Sequence, residues 1–107
     1  MKTLKFTSDL ASKILSGEKT STWRLFDDKD LKTGDDLDLI NSQTGKIFAK
    51  SIINSVIQKK FEDLVEDDFK GHQKYSNEKE MYEDFQKYYS IPITPTTLLK
   101  IINFELR

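Results

Sequence analysis

The chain has 107 residues, of which 36% are hydrophobic and 33% charged, and its net charge is −1. This length suits one domain spanning residues 1–107, and the absence of cysteine excludes disulfides and thiolate chemistry. The nearly neutral charge excludes nucleic-acid binding by bulk positive charge alone. No apolar run approaches the roughly 20 residues of a membrane span, so we expect no membrane segment. The absence of cysteine fits a reducing compartment, and we expect a cytoplasmic location.

The first quarter of the chain predicts a strand, a short helix and a second strand. Lys2–Phe6 alternates between polar and apolar residues as a strand does. Ser8–Ser16 places its apolar residues on one helical face, with Ser8 as a candidate N-cap and Gly17 where a left-handed residue would end the helix. The β-branched, hydroxylic and aromatic residues of Thr20–Arg24 then indicate a strand.

The junction between that helix and that strand carries the most informative residues. Because side chains alternate along a strand, Thr20, Thr22 and Arg24 share one face, just after Lys19. An amine beside hydroxyls and a guanidinium suits an anionic or carbonyl-bearing ligand. Trp23 points to the opposite face, which predicts a place in the core. An ion pair of Arg24 with Asp27 or Asp28 is the structural alternative to a ligand contact.

The middle of the chain predicts a hairpin after a polar loop at 25–34. Asp36–Ile40 alternates like a strand, and Asn41–Gly45 has the composition of a hairpin turn. Lys46–Ile57 is rich in β-branched residues, and its pattern breaks at Ile52–Ile53, which indicates a bulge or bend.

The last part of the chain predicts a helix between an acidic loop and a closing strand. A short helical turn at Phe61–Val65 leads into the loop Glu66–His72. Asn77 is a plausible cap for a helix whose apolar residues recur at helical spacing; these are Met81, Phe85, Tyr88 and Tyr89. Leu98–Leu106 is the closing strand. The order predicts an α+β fold, a small β-barrel of about five to six mixed strands with two or three helices.

These residues resemble the ASCH domain of the PUA-like superfamily. The resemblance rests on four segments in order: Gly17-x-Lys19-Thr20-x-Thr22-x-Arg24, Lys32-Thr33-Gly34-Asp35, Phe61-x-Asp63-Leu64, and Ile101 to Leu106. It covers essentially the whole chain. It implies a PUA-like barrel with a cleft suited to RNA or a modified pyrimidine nucleoside, which are the partners we expect.

One branch of that family removes the acetyl group from 4-acetylcytidine with a Lys, a Thr and a later Glu. Carried over by position, the resemblance implies Lys19 and Thr22, whereas Lys70 stands at the position of the expected Glu. A carboxylate of the acidic loop could replace it, and we assign this role to Asp67. The primary expectation is therefore a binding domain, the alternative an amidohydrolase, and a further alternative a ribonuclease.

Three residues are predicted ligand contacts, namely Thr20, Arg24 and His72. His72 is the only histidine, and it lies near the point where the loop of the family closes on the site. With one histidine and no cysteine, we expect neither a metal nor a cofactor. The sequence leaves the oligomeric state open, and a protein-interaction domain that uses the acidic helix is a further possibility.

Overall fold

The computed structural model describes residues 2–25, 29–72 and 74–107, and within these ranges it has five strands and two α-helices. In chain order they are β1 (Lys2–Phe6), α1 (Ser8–Leu15), β2 (Ser21–Arg24), β3 (Asp36–Asn41), β4 (Ile47–Lys60), α2 (Glu78–Gln86) and β5 (Leu98–Leu106). Two 3-10 turns, Phe61–Asp63 and Glu66–Phe69, connect β4 to α2. None of the described helices is long and apolar enough to cross a membrane.

The five strands form one mixed sheet in the order β1-β3-β4-β5-β2. β1 pairs with β3 in parallel, and the three other pairs are antiparallel. The sheet curls into a half-barrel, so β1 and β2 are its two edge strands. This architecture confirms the predicted α+β class with about five mixed strands and two or three helices.

Each face of the sheet carries its own apolar cluster. Alternate residues of β5 contribute to the two clusters, because successive side chains of a strand point to opposite faces. Ile102 and Phe104 pack in the larger cluster with Ile14 of α1. Leu99 and Ile101 pack in the second, which α2 covers. Trp23 of β2 belongs to the second cluster and packs with Met81 and Phe85 of α2.

Several predicted boundaries differ from the structure. Thr7, and not Ser8, is the N-cap of α1. Asn77 caps α2 as predicted, since its side chain accepts a hydrogen bond from the Glu80 N–H at 2.9 Å. The pairing of β4 with β5 shifts register between Ile53 and Ser55, one residue beyond the predicted bend. Asp27 and Asp28, the predicted structural partners of Arg24, lie outside the described residues.

Candidate functional site

A cavity of about 340 Å³ lies beside β2, between the two edges of the sheet and under helix α2. Its walls include Lys19, Thr22, Arg24 and His72, four of the six predicted site residues. Thr20 and Asp67 do not line it. The cavity is at the small end of the range of small-molecule sites, which runs from about 300 to 1,000 Å³.

Lys19 reaches the cavity because helix α1 ends just before it. Gly17 adopts a left-handed φ of 85°, and its N–H donates to the Ile14 carbonyl at 3.1 Å. The N–H of Lys19 in turn donates to the Lys13 carbonyl at 3.1 Å. These bonds satisfy carbonyls that a helix end would otherwise leave unpaired. The backbone of Lys19 is thereby held, and its side chain is buried, with 3% of the residue exposed.

The surroundings of Lys19 disfavour its charged form. Burial, the Arg24 guanidinium and the Lys13 ammonium together lower the pKa of Lys19 from 10.5 to about 7. Burial is the largest of these causes, since an ammonium in the protein interior loses its hydration. The amine of Lys19 is therefore a proton acceptor and a nucleophile near neutral pH.

Thr22 and Arg24 form the polar wall next to Lys19. The Arg24 Nε donates to the Thr22 hydroxyl oxygen at 3.3 Å, and its Nη2 donates to the Lys5 carbonyl at 3.0 Å. The guanidinium also lies 5.0 Å from the centre of the Phe6 ring, a cation–π distance. Burial lowers the pKa of Arg24, and nearby Tyr89 opposes that shift. Arg24 is thus a cation with a defined position, because three contacts hold it.

His72 and Trp23 stack on each other in the wall of the cavity. Their ring centres are 4.1 Å apart and their planes differ by 12°. Trp23 is buried in the second cluster, as the sequence predicts, and it lines the cavity as well. Its indole Nε1 is buried and has no hydrogen-bond acceptor among the residues that the structure describes. The stack closes one side of the cavity with aromatic surface.

Thr20 faces the loop that carries His72, and not the cavity. The N–H groups of Thr20 and Ser21 both donate to the Gly71 carbonyl, at 2.8 and 3.1 Å. Gly71 has a φ of 72°, and a Cβ built on it would lie 1.9 Å from the Thr20 hydroxyl oxygen. The close approach of these two residues fixes the loop, and with it His72, over β2. The ligand contact of Thr20 stays a prediction.

The acidic loop does not deliver Asp67 to the cavity. The Asp67 side chain is 81% exposed and forms an ion pair with Lys70 at 3.3 Å. The neighbouring Asp68 binds Lys59 at 2.8 Å. The catalytic role of Asp67 stays a prediction, and it requires the loop to rearrange.

Asp84 is a cavity residue that the sequence analysis did not identify. It lies on α2 and is the one carboxylate in the described cavity wall. Its Oδ2 accepts a hydrogen bond from the Tyr75 hydroxyl at 2.9 Å. Its position in the sequence, directly before Phe85, gives no signal of a ligand site. Of the apolar residues at helical spacing, Met81 and Phe85 are buried, whereas Tyr88 is 67% exposed and lines the cavity with Tyr89.

The described part of the chain contains no group of three or more His, Cys, Asp or Glu residues that could hold a metal ion. The cavity wall presents the Lys19 amine, the Thr22 hydroxyl, the Arg24 guanidinium and the Asp84 carboxylate among aromatic rings.

No protein-family model and no curated protein sequence matches the chain, whereas solved structures do. The ASCH domain from Lactobacillus crispatus JV V101 is 18% identical, with a TM-score of 0.74, covering 98% of this chain and 79% of its own length. ASCH from Zymomonas mobilis is 13% identical, with a TM-score of 0.68, and the match covers 98% of this chain and 65% of the Zymomonas chain. A DUF984 protein from Enterococcus faecalis V583 is 19% identical, with a TM-score of 0.75, and the match covers 99% of this chain and 80% of the Enterococcus chain. The chain thus has the fold of ASCH domains, as its sequence motifs predict.

The contact between Thr20 and Gly71 gives a testable prediction for stability. Gly71→Ala should destabilise the protein by roughly 2–5 kcal/mol, because it combines a left-handed alanine with overpacking against Thr20. The matched control is Gly45→Ala, since Gly45 has a φ of 73° but no atom within 4 Å of a built Cβ. Gly45→Ala should lose only the part of the folding stability that a left-handed alanine costs, without the part due to overpacking.

Chemical denaturation of both variants, together with Thr20→Ala and the double variant Thr20→Ala/Gly71→Ala, measures the coupling. We expect the double variant to be more stable than the two single changes predict by addition, by about 1 kcal/mol or more. Strict additivity, or equal losses for Gly71→Ala and Gly45→Ala, would show that Thr20 does not hold the loop.

Proposed function

We propose that this chain, with its ASCH fold, binds a nucleobase of RNA or a modified pyrimidine nucleoside in the cavity beside β2. The observation that carries the proposal is the cluster of the buried Lys19 and Thr22 with the half-buried Arg24 on one cavity wall. A site for a fatty or purely apolar ligand would have no need of three polar groups held together in its wall.

Aromatic residues make up much of the remaining wall, which suits a flat ring. They are Trp23, Tyr75, Phe85, Tyr88 and Tyr89. Unstacked bases of single-stranded RNA are commonly recognised by stacking on aromatic side chains. Since the cavity is at the small end of ligand sites, it suits one base or one nucleoside. Tyr88 lines the cavity and is also exposed to solvent.

The polar groups match the hydrogen-bonding edge of a pyrimidine. Arg24 supplies donors, Thr22 can donate and accept, and the carboxylate of Asp84 accepts. An aspartate acceptor suits an exocyclic amino group of the kind that cytosine carries. Charge also favours a nucleotide, because the cations Lys5 and Arg24 line the cavity with one carboxylate, although the whole chain is nearly neutral.

Titration of the wild type with cytidine, 4-acetylcytidine and a short single-stranded RNA tests binding. Fluorescence of Trp23 is a direct readout, because it is the one tryptophan of the chain and lines the cavity. Lys19→Ala should raise the Kd of the tightest ligand about 10-fold or more, as expected for loss of a buried hydrogen-bonding group. Lys46→Ala, an exposed position outside the cavity, should leave it unchanged.

Two results would contradict the proposal. One is the absence of saturable binding of all three ligands by the wild type. The other is equal affinity of wild type and Lys19→Ala, which would put the ligand elsewhere on the surface. Circular dichroism of each variant confirms that a loss of affinity is not a loss of fold.

A second candidate function is deacetylation of 4-acetylcytidine. The observation that favours it is the Lys19 amine, whose pKa of about 7 makes it a base at neutral pH, in one cavity with the Thr22 hydroxyl. In this reaction Thr22 Oγ1 attacks the acetyl carbon and its proton passes to Lys19. The proton then goes to the departing amino group of cytidine, and water hydrolyses the acetyl ester to acetate. Arg24 stabilises the oxygen of Thr22 as the proton leaves.

The test for deacetylation is release of acetate and cytidine measured against pH. The rate should rise with pH and level off above about 7, as Lys19 loses its proton. Lys19→Ala and Thr22→Val should each lower the rate about 100-fold or more. Thr33→Val, on an exposed turn outside the cavity, serves as the matched control. If no acetate is released at high enzyme concentration, or if Thr22→Val keeps full activity, the protein does not deacetylate 4-acetylcytidine by this mechanism.

The ribonuclease alternative receives no specific support from the geometry. His72 is the only histidine and stacks on Trp23, and the carboxylate of Asp84 is bound by Tyr75. It therefore stays a prediction of the resemblance alone.

A further inference from the structure

Lys19 is a buried residue of the cavity wall, and its backbone is held in place. The end of α1 holds its backbone, through the left-handed Gly17 and the bond from its own N–H to the Lys13 carbonyl. Its side chain is 97% buried yet borders a cavity that can admit a small molecule. The amine is thus presented to a ligand while it is largely shielded from bulk water.

A second cation is held next to this amine. Arg24 cannot easily move away, because it is bound to the Lys5 carbonyl and to Thr22 and lies over the Phe6 ring. A lysine that is desolvated beside another cation is activated as a nucleophile, the arrangement that lysines use to form Schiff bases. With a pKa of about 7, roughly half of Lys19 is neutral at pH 7, against about one in 2,500 for an exposed lysine.

We propose that Lys19 is a carbonyl-reactive amine and that the cavity forms a reversible covalent imine with small hydroxyaldehydes. The aldehyde carbon is the electrophile. The hydroxyl groups of the ligand are bound by the other polar residues of the cavity, which are Thr22, Arg24 and Asp84. The inference goes beyond the proposed function, since it concerns the covalent chemistry of the same site and not which nucleoside fills it.

The reaction balances without an oxidant or a reductant. The nitrogen lone pair of Lys19 forms a bond to the aldehyde carbon, and the proton that leaves nitrogen ends on the former carbonyl oxygen. Loss of that hydroxyl and of the second amine proton, together as water, forms the carbon–nitrogen double bond. Thr22 is placed to relay the proton, because its hydroxyl oxygen accepts a bond from Arg24 and its own hydrogen is available for donation. Addition of water reverses every step.

Reductive trapping tests the proposal on the intact protein. The protein is incubated at pH 7 with glycolaldehyde, the smallest hydroxyaldehyde, and with sodium cyanoborohydride, whose hydride converts the imine into a stable secondary amine. Peptide mapping by mass spectrometry then gives the rate of modification of each lysine. We expect Lys19 to react about 10-fold faster than the exposed Lys46 and Lys70. Equal or slower modification of Lys19 would overturn the proposal.

The pH profile of trapping separates activation from simple accessibility. In the wild type, trapping at Lys19 should reach half its maximal rate near pH 7, whereas trapping of a lysine model peptide, whose solvated amine has a pKa of about 10.4, should continue to gain rate at higher pH. Arg24→Gln removes the neighbouring cation and should move the Lys19 profile to higher pH. Profiles that coincide for wild-type Lys19 and the model peptide would overturn the proposal even if Arg24→Gln does not fold.

Nucleoside titration of the same sample keeps the two proposals distinguishable. Cytidine binding with no preferential trapping overturns the covalent inference alone. Preferential trapping without cytidine binding supports the inference and counts against the proposed function.

Discussion

The contact on which the whole site depends joins the two edges of the sheet. Arg24, on β2, donates to the Lys5 carbonyl of β1 at 3.0 Å and covers the Phe6 ring. β1 and β2 stand at opposite ends of the strand order, so this side chain bridges the open side of the half-barrel. The cavity lies beside that bridge. The same guanidinium therefore closes the fold and lowers the pKa of Lys19.

A second constraint holds the loop that closes the cavity from above. Thr20 and Gly71 approach so closely that no side chain fits on residue 71, and both N–H groups at the start of β2 bind the Gly71 carbonyl. His72 follows directly and stacks on Trp23. One short segment of chain, residues 19–24, thus supplies the amine, the hydroxyl, the cation and the anchor for the loop that covers them.

Helix termination and strand alternation, which depend on neighbouring residues only, were sufficient to predict part of the site. A helix that ends at a glycine and a strand with alternating side chains were enough to place Lys19, Thr22 and Arg24 together. The sheet order and Asp84 could not be predicted in this way. Asp84 lines the cavity because it lies on α2, which packs on the sheet, whereas Asp67 lies outside it in an exposed loop, paired with Lys70. Thr20 contacts a glycine 51 residues later in the sequence, which strand alternation cannot reveal.

The chemistry proposed for the site depends on a Lys19 amine whose pKa is lowered to about 7 by its surroundings. NMR observation of the lysine side chains between pH 5 and 11, with Lys19 assigned from the signal missing in Lys19→Arg, measures this pKa without a ligand. We expect a midpoint near 7 for Lys19, shifted to higher pH in Arg24→Gln. A midpoint near 10.4, the ordinary value for a solvated lysine, would contradict it, because the amine would then be hydrated and the cavity around it would not be enclosed.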